Sequence, residues 1–114
     1  FKRNYIHVRD IAETFMFCIK NYNKLNGEVF NVGLSNANLN KMELANKIKE
    51  LFPKLVIIEN EFSSDTDNRN YIVSNNKLEG YGWKPKYSID EGIGELIQAY
   101  KMIITDNNKK YTNL

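Results

Sequence analysis

Two arginines occur in matching settings, Arg3-Asn4-Tyr5 and Arg69-Asn70-Tyr71, each followed by an asparagine and an aromatic residue. A guanidinium is a planar fork whose paired N–H groups match two phosphate oxygens, so two converging arginines suit a diphosphate. The same side chains could instead form surface ion pairs with Asp10, Asp65 or Asp67, and the sequence leaves both readings open. Tyr71 either touches the same ligand as its neighbour Arg69 or braces the strand beside it.

Other chemistry is scarce. A single histidine, His7, excludes a histidine-based metal site, and its alternation with Ile6 and Val8 reads as structural. The one cysteine, Cys18, sits in an apolar helical run with no base nearby; it reads as a buried small hydrophobe in a reducing compartment. Gly92 and Gly94 fall inside a helical pattern, and Gly33 is followed by no glycine before Gly80, so no phosphate-cradling turn is legible.

Composition sets the frame around these residues. The 114 residues suffice for one domain with a modest core, and 42% hydrophobic with 26% charged residues is ordinary for a globular protein. Sixteen basic against fourteen acidic residues leave a net charge of +2, too balanced for a nucleic-acid binder. No apolar run approaches the roughly 20 residues needed to span a bilayer, and the opening residues lack a signal-peptide pattern, so the expected location is cytoplasmic. A first residue other than methionine, followed at once by strand-like Tyr5-Ile6-His7-Val8, reads as a piece of a longer polypeptide.

The elements that must position the arginines follow from periodicity. A helix is predicted from Arg9, with Ile11, Ala12, Phe15, Met16, Cys18 and Ile19 at helical spacing, Asp10 near its positive end and a fade at Asn21 to Asn23. A turn at Asn26-Gly27 precedes a strand, Glu28 to Gly33, with Val29, Phe30 and Val32 buried. After a polar loop, Leu34 to Leu39, Asn40 and Glu43 form a capping box for a helix ending before Pro53. Leu55-Val56-Ile57-Ile58 reads as a buried strand, Glu59 to Asn68 as an acidic loop and Tyr71-Ile72-Val73 as a strand-like run. A short helical turn after Ser74 stops at Gly82, with Trp83 folding back into the core. Ser88 and Glu91 form a second capping box, for a helix carrying Ile89, Ile93, Leu96, Ile97, Tyr100 and Ile104. The fold class is α/β, with mixed helices and short strands.

Four ordered segments resemble one family. The run Arg3-Asn4-Tyr5-Ile6-His7-Val8-Arg9-Asp10-Ile11-Ala12 is similar to the R-D-[YF]-[IV]-H-V-x-D-[IVL]-A segment of the extended short-chain dehydrogenase/reductases, the NAD-dependent nucleotide-sugar epimerases and dehydratases. Gly27 to Gly33 looks like their G-x-x-[FY]-N-[VIL]-G strand, and Asn40 to Ala45 falls where they place S-x-x-E-L. Arg69-Asn70-Tyr71, Asn76-Lys77-Leu78, Gly82-Trp83-Lys84-Pro85 and Ser88 to Ile93 resemble their closing segment.

The resemblance implies a C-terminal, substrate-binding portion of a Rossmann-type enzyme whose cofactor-binding half is absent: residues 1–106 the nucleotide-sugar-binding region, 107–114 a polar tail. It implies that Arg3, Arg69 and Tyr71 meet a nucleoside-diphosphate sugar, and that NAD and the catalytic Y-x-x-x-K pair belong to the missing N-terminal Rossmann domain. By that reading the chain has no catalytic residue and binds no cofactor alone. Asn4 stands where the family often has Asp. Epimerase and dehydratase are not distinguished, although Arg69-Asn70-Tyr71 is slightly nearer the dehydratase form. The alternative is a non-catalytic module for phosphate or nucleotide-sugar binding, or for assembly, with exposed apolar faces that favour self-association.

Overall fold

Side-chain caps set the starts of the three long helices. In the computed structural model, which describes residues 1–60 and 69–105, the imidazole Nδ1 of His7 accepts the N–H of Arg9 at 3.0 Å and opens α1, Val8–Lys20. The sequence predicts strand over Tyr5 to Val8, but the cap wins. Only β1, Arg3–Asn4, enters a ladder, and Tyr5 adds one bond, from its N–H to Ala37 O at 3.1 Å. A short turn of helix, α2 (Tyr22–Leu25), follows α1, and Gly27 then takes the left-handed conformation, φ 78°.

The partner of β1 is β2, Asn38–Leu39, antiparallel with Arg3 opposite Leu39 and Asn4 opposite Asn38. The predicted polar loop Leu34 to Leu39 thus supplies a strand, and its Leu34 and Ala37 are buried. Both capping boxes form as read. Asn40 and Glu43 exchange bonds of 2.7 and 2.8 Å to start α3, Lys41–Leu51, and Ser88 and Glu91 exchange bonds of 3.1 and 2.7 Å at the start of α5, Ile89–Thr105. Between them lies α4, Asn76–Glu79, followed by Gly82 at φ 100°. Helices α3 and α5 pack together, joined at their edge by Lys47 and Asp90, 3.4 Å apart.

Three expectations about burial are overturned. Glu28 to Gly33 joins no ladder among the described residues, and Val29 is 83% exposed. Leu55 to Ile58 likewise forms no strand, with Val56 and Ile58 outside and Ile58 85% exposed. A β-branched run becomes a strand only where another strand lies beside it, and none does among the described residues. Helix α1 is turned the other way from a simple amphipathic reading: Val8, Phe15, Met16 and Ile19 face outward, while Asp10 and Thr14 are buried and Cys18 is half-buried. The tail 107–114 and most of the acidic loop, residues 61–68 with Asp65 and Asp67, lie outside the described residues.

The core is small: Leu25, Leu34, Ala37, Leu78, Trp83 and Ile93, with Trp83 buried as the sequence suggests. At about 1.5–3 kcal/mol for each fully buried large apolar side chain, this set needs help from polar anchors. One is at Gly33, where Asn75, 0% exposed, accepts the N–H at 2.8 Å and donates its own amide to the carbonyl. A Cβ at Gly33 would stand 2.8 Å from both Asn4 Cγ and Val73 Cγ1, and Asn4 is pinned by its bonds to Leu34. Gly33→Ala is therefore expected to destabilise the fold by about 1–3 kcal/mol in urea denaturation.

Candidate functional site

The two arginines, 66 residues apart in sequence, meet at one aromatic ring. The Arg3 guanidinium lies 4.8 Å from the Tyr71 ring centroid and that of Arg69 lies 5.7 Å from it. Arg3 Nη1 also donates to the carbonyls of Lys2, at 3.0 Å, and of Arg69. The segment carrying Arg69 is tied to β1 by two further bonds, from Tyr71 N–H to Lys2 O at 3.0 Å and from Lys2 N–H to Asn70 Oδ1 at 2.7 Å. Arg3, Arg69 and Tyr71, the three residues singled out from the sequence, are thus brought together. Tyr71 is 43% exposed, so the two cations meet at its ring on the surface of the described structure.

Chemically this is a binding surface. Two planar cations provide positive charge and forked donors for a polyanion. Two surface depressions among the described residues, lined by Ile19 to Lys24 and by Asn46, Lys49, Glu50 and Pro53, include none of the three.

Asparagines that sequence reasoning passed over hold the site. Asn38 Oδ1 accepts from Val73 N–H and Asn4 Nδ2, both at 2.9 Å, and Asn38 Nδ2 donates to the carbonyls of Val73 and Ser35, both at 3.0 Å. Asn4, on the strand of Arg3, accepts from Leu34 N–H and donates to Leu34 O. Asparagine is spread through the chain, so composition does not mark these positions.

Asp10 stands in the first turn of α1, as read from the sequence, but it is not the arginine partner of the alternative reading. It is 1% exposed, and its two oxygens accept the backbone N–H groups of Lys86 and Tyr87 at 2.9 and 3.1 Å. These two bonds satisfy the buried oxygens and dock the approach to α5 onto α1. The ion-pair reading of the arginines therefore loses Asp10, while Asp65 and Asp67 lie outside the described residues. His7 is structural, as expected. With Nδ1 accepting from Arg9, Nε2 carries the hydrogen and meets Glu95 Oε2 at 2.9 Å, while the ring stacks on Tyr87 with centroids 4.3 Å apart.

This hydrogen bond from His7, with the nearby Arg9 charge, holds the Glu95 carboxyl below its usual range. A depressed folded-state pKa contributes stability above the unfolded value, about 4.3, and loses it as pH falls through the folded value. Glu95→Gln is expected to lower the thermal midpoint at neutral pH, with the two proteins converging in acid below the carboxylate range.

No protein-family model matches the chain. It is 28% identical over 107 residues to the dTDP-D-glucose 4,6-dehydratase of Bos taurus, covering 87% of this chain and 29% of that protein. It is 30% identical over 104 residues to the probable GDP-L-fucose synthase 1 of Oryza sativa subsp. japonica, covering 90% and 29%. With the UDP-D-apiose/UDP-D-xylose synthase 2 of Arabidopsis thaliana the identity is 28% over 105 residues, covering 77% and 26%. The chain spans less than a third of the length of these curated relatives. Over that part, the similarities support a relationship to the extended short-chain dehydrogenase/reductases of the nucleotide-sugar dehydratase and epimerase kind.

Proposed function

We propose that residues 1–106 form the C-terminal, nucleoside-diphosphate-sugar-binding region of an NAD-dependent sugar-nucleotide epimerase or 4,6-dehydratase, with 107–114 a polar tail. The observation that carries this reading is the convergence of Arg3 and Arg69 on Tyr71. Names of relatives that refer to dTDP-, GDP- and UDP-linked sugars agree with a diphosphate as the shared ligand group. Arg3 and Arg69 would hold its oxygens while Tyr71 provides the ring on which the two guanidiniums converge. Their contribution to catalysis is placement, since a bound group held in one orientation avoids the entropy cost of finding it.

The described residues do not fit NAD. Gly33 N–H is taken by Asn75, and Gly92 and Gly94 lie within α5, so no glycine turn is open to a pyrophosphate. The cofactor and the acid–base residues would lie outside this segment, and this chain alone would have no turnover. Calorimetry of the isolated chain with NAD is expected to show no saturable heat; saturable binding would overturn this division of labour.

The outward apolar face of α1 favours an additional reading as an assembly surface. Val8, Phe15, Met16 and Ile19 are all exposed on a helix whose opposite face buries a carboxylate, an arrangement suited to packing against another folded body. The missing Rossmann domain is the partner implied.

In the full-length enzyme, Arg69→Ala is expected to raise KM for the nucleotide sugar by about tenfold to a hundredfold, matching the loss of a charged hydrogen-bonding contact of about 1.5–3 kcal/mol. Affinity for NAD should not change. An unaltered KM would return Arg69 to a structural role.

A further inference from the structure

We propose that Asn38 is a positioning residue for the arginine pair, its carboxamide standing in for a strand peptide that holds the Arg69–Tyr71 segment beside Arg3. A side-chain amide offers two donor hydrogens and two acceptor lone pairs, and Asn38 uses all four. Two of its bonds go to the N–H and C=O of a single residue, Val73, at 2.9 and 3.0 Å. Pairing both groups of one residue is what a neighbouring strand does in an antiparallel ladder. The backbone of Asn38 meanwhile pairs with Asn4, next to Arg3, and its Oδ1 accepts from Asn4 Nδ2 at 2.9 Å.

One residue therefore ties together β1, β2 and the 70–73 segment, although that segment joins no sheet. Tyr71 lies two residues before Val73, and in extended chain that spacing returns the side chain to the same face. Fixing Val73 fixes the register of Tyr71, whose N–H meets Lys2 O at 3.0 Å, and with it the ring on which the two guanidiniums converge. Asn38 touches no ligand atom in this scheme. It acts through the segment that it holds.

The kinetic consequence rests on the diphosphate reading, whereas the positioning itself does not, and two readouts separate them. In the full-length enzyme, Asn38→Ala should speed amide hydrogen exchange at Tyr71 and Val73 by at least tenfold while amides within α3 and α5 keep their protection. KM for the nucleotide sugar should rise about tenfold with kcat retained, and should rise no further when Asn38→Ala is added to Arg69→Ala. Asn38→Gln, which keeps the carboxamide but displaces it by one methylene, should fall between wild type and Asn38→Ala. It also provides the measurement should the alanine variant fail to fold.

Unchanged exchange at Tyr71 in these variants overturns the proposal. So does faster exchange with unaltered KM, when Arg69→Ala alone raises KM, because Asn38 would then be structural only. If Arg69→Ala leaves KM unaltered, the diphosphate reading falls and the exchange result alone decides whether Asn38 positions the segment.

Discussion

Asparagine carboxamides take the place of sheet peptides in this chain, and the rest of the described structure depends on that substitution. The ladder itself contains two residues on each side. Asn4, Asn38 and Asn75 extend its reach through side-chain bonds to Leu34, Val73 and Gly33, binding the segments near residues 3, 35 and 73 into one unit. Each net hydrogen bond is worth only about 0.5–1.5 kcal/mol, but removing one partner strands a buried group at a cost of about 1–3 kcal/mol. The network is therefore cooperative in failure. Gly33 is part of the same device, since only a residue without a side chain lets Asn4, Val73 and Asn75 approach its backbone so closely.

The same comparison of magnitudes explains how the arginines are held. A cation–π contact at an exposed site contributes about 0.5–1 kcal/mol, less than the rotamer entropy of an arginine side chain, about 2 kcal/mol. Stacking on Tyr71 cannot by itself fix Arg3 or Arg69. The bonds from Arg3 Nη1 to the carbonyls of Lys2 and Arg69 add to the hold, and the backbone beneath supplies the frame: the β1 ladder, the Tyr71 and Asn70 bonds to Lys2, and the grip of Asn38 on Val73.

Asp10 does for the second half of the fold what the asparagines do for the first. It lies on the inner face of α1 and accepts two consecutive backbone N–H groups from the Lys86–Tyr87 approach to α5, while His7 reaches Glu95 within α5 from the cap of the same helix. Burying a carboxylate is costly unless hydrogen bonds compensate, so the inner face of α1 is committed to this anchor. Val8, Phe15, Met16 and Ile19 are left on the outer face.

Local rules determined much of this. The capping boxes at Asn40 and Ser88 and the burial of Trp83 were legible because each depends on residues within a few positions. The arginine pair was legible as a repeated Arg-Asn-Tyr setting, though not as a meeting at one ring. Strand predictions at Glu28 to Gly33 and Leu55 to Ile58 failed because a strand needs a partner, which local sequence does not contain. Tertiary structure alone decided that Asn38 would pair with Val73 and Asn75 with Gly33, and that Asp10 would be buried. The physical reason is common to all three. A carboxamide or carboxylate has the same local preferences wherever it stands, and its role is set by which backbone groups distant segments bring within hydrogen-bonding reach.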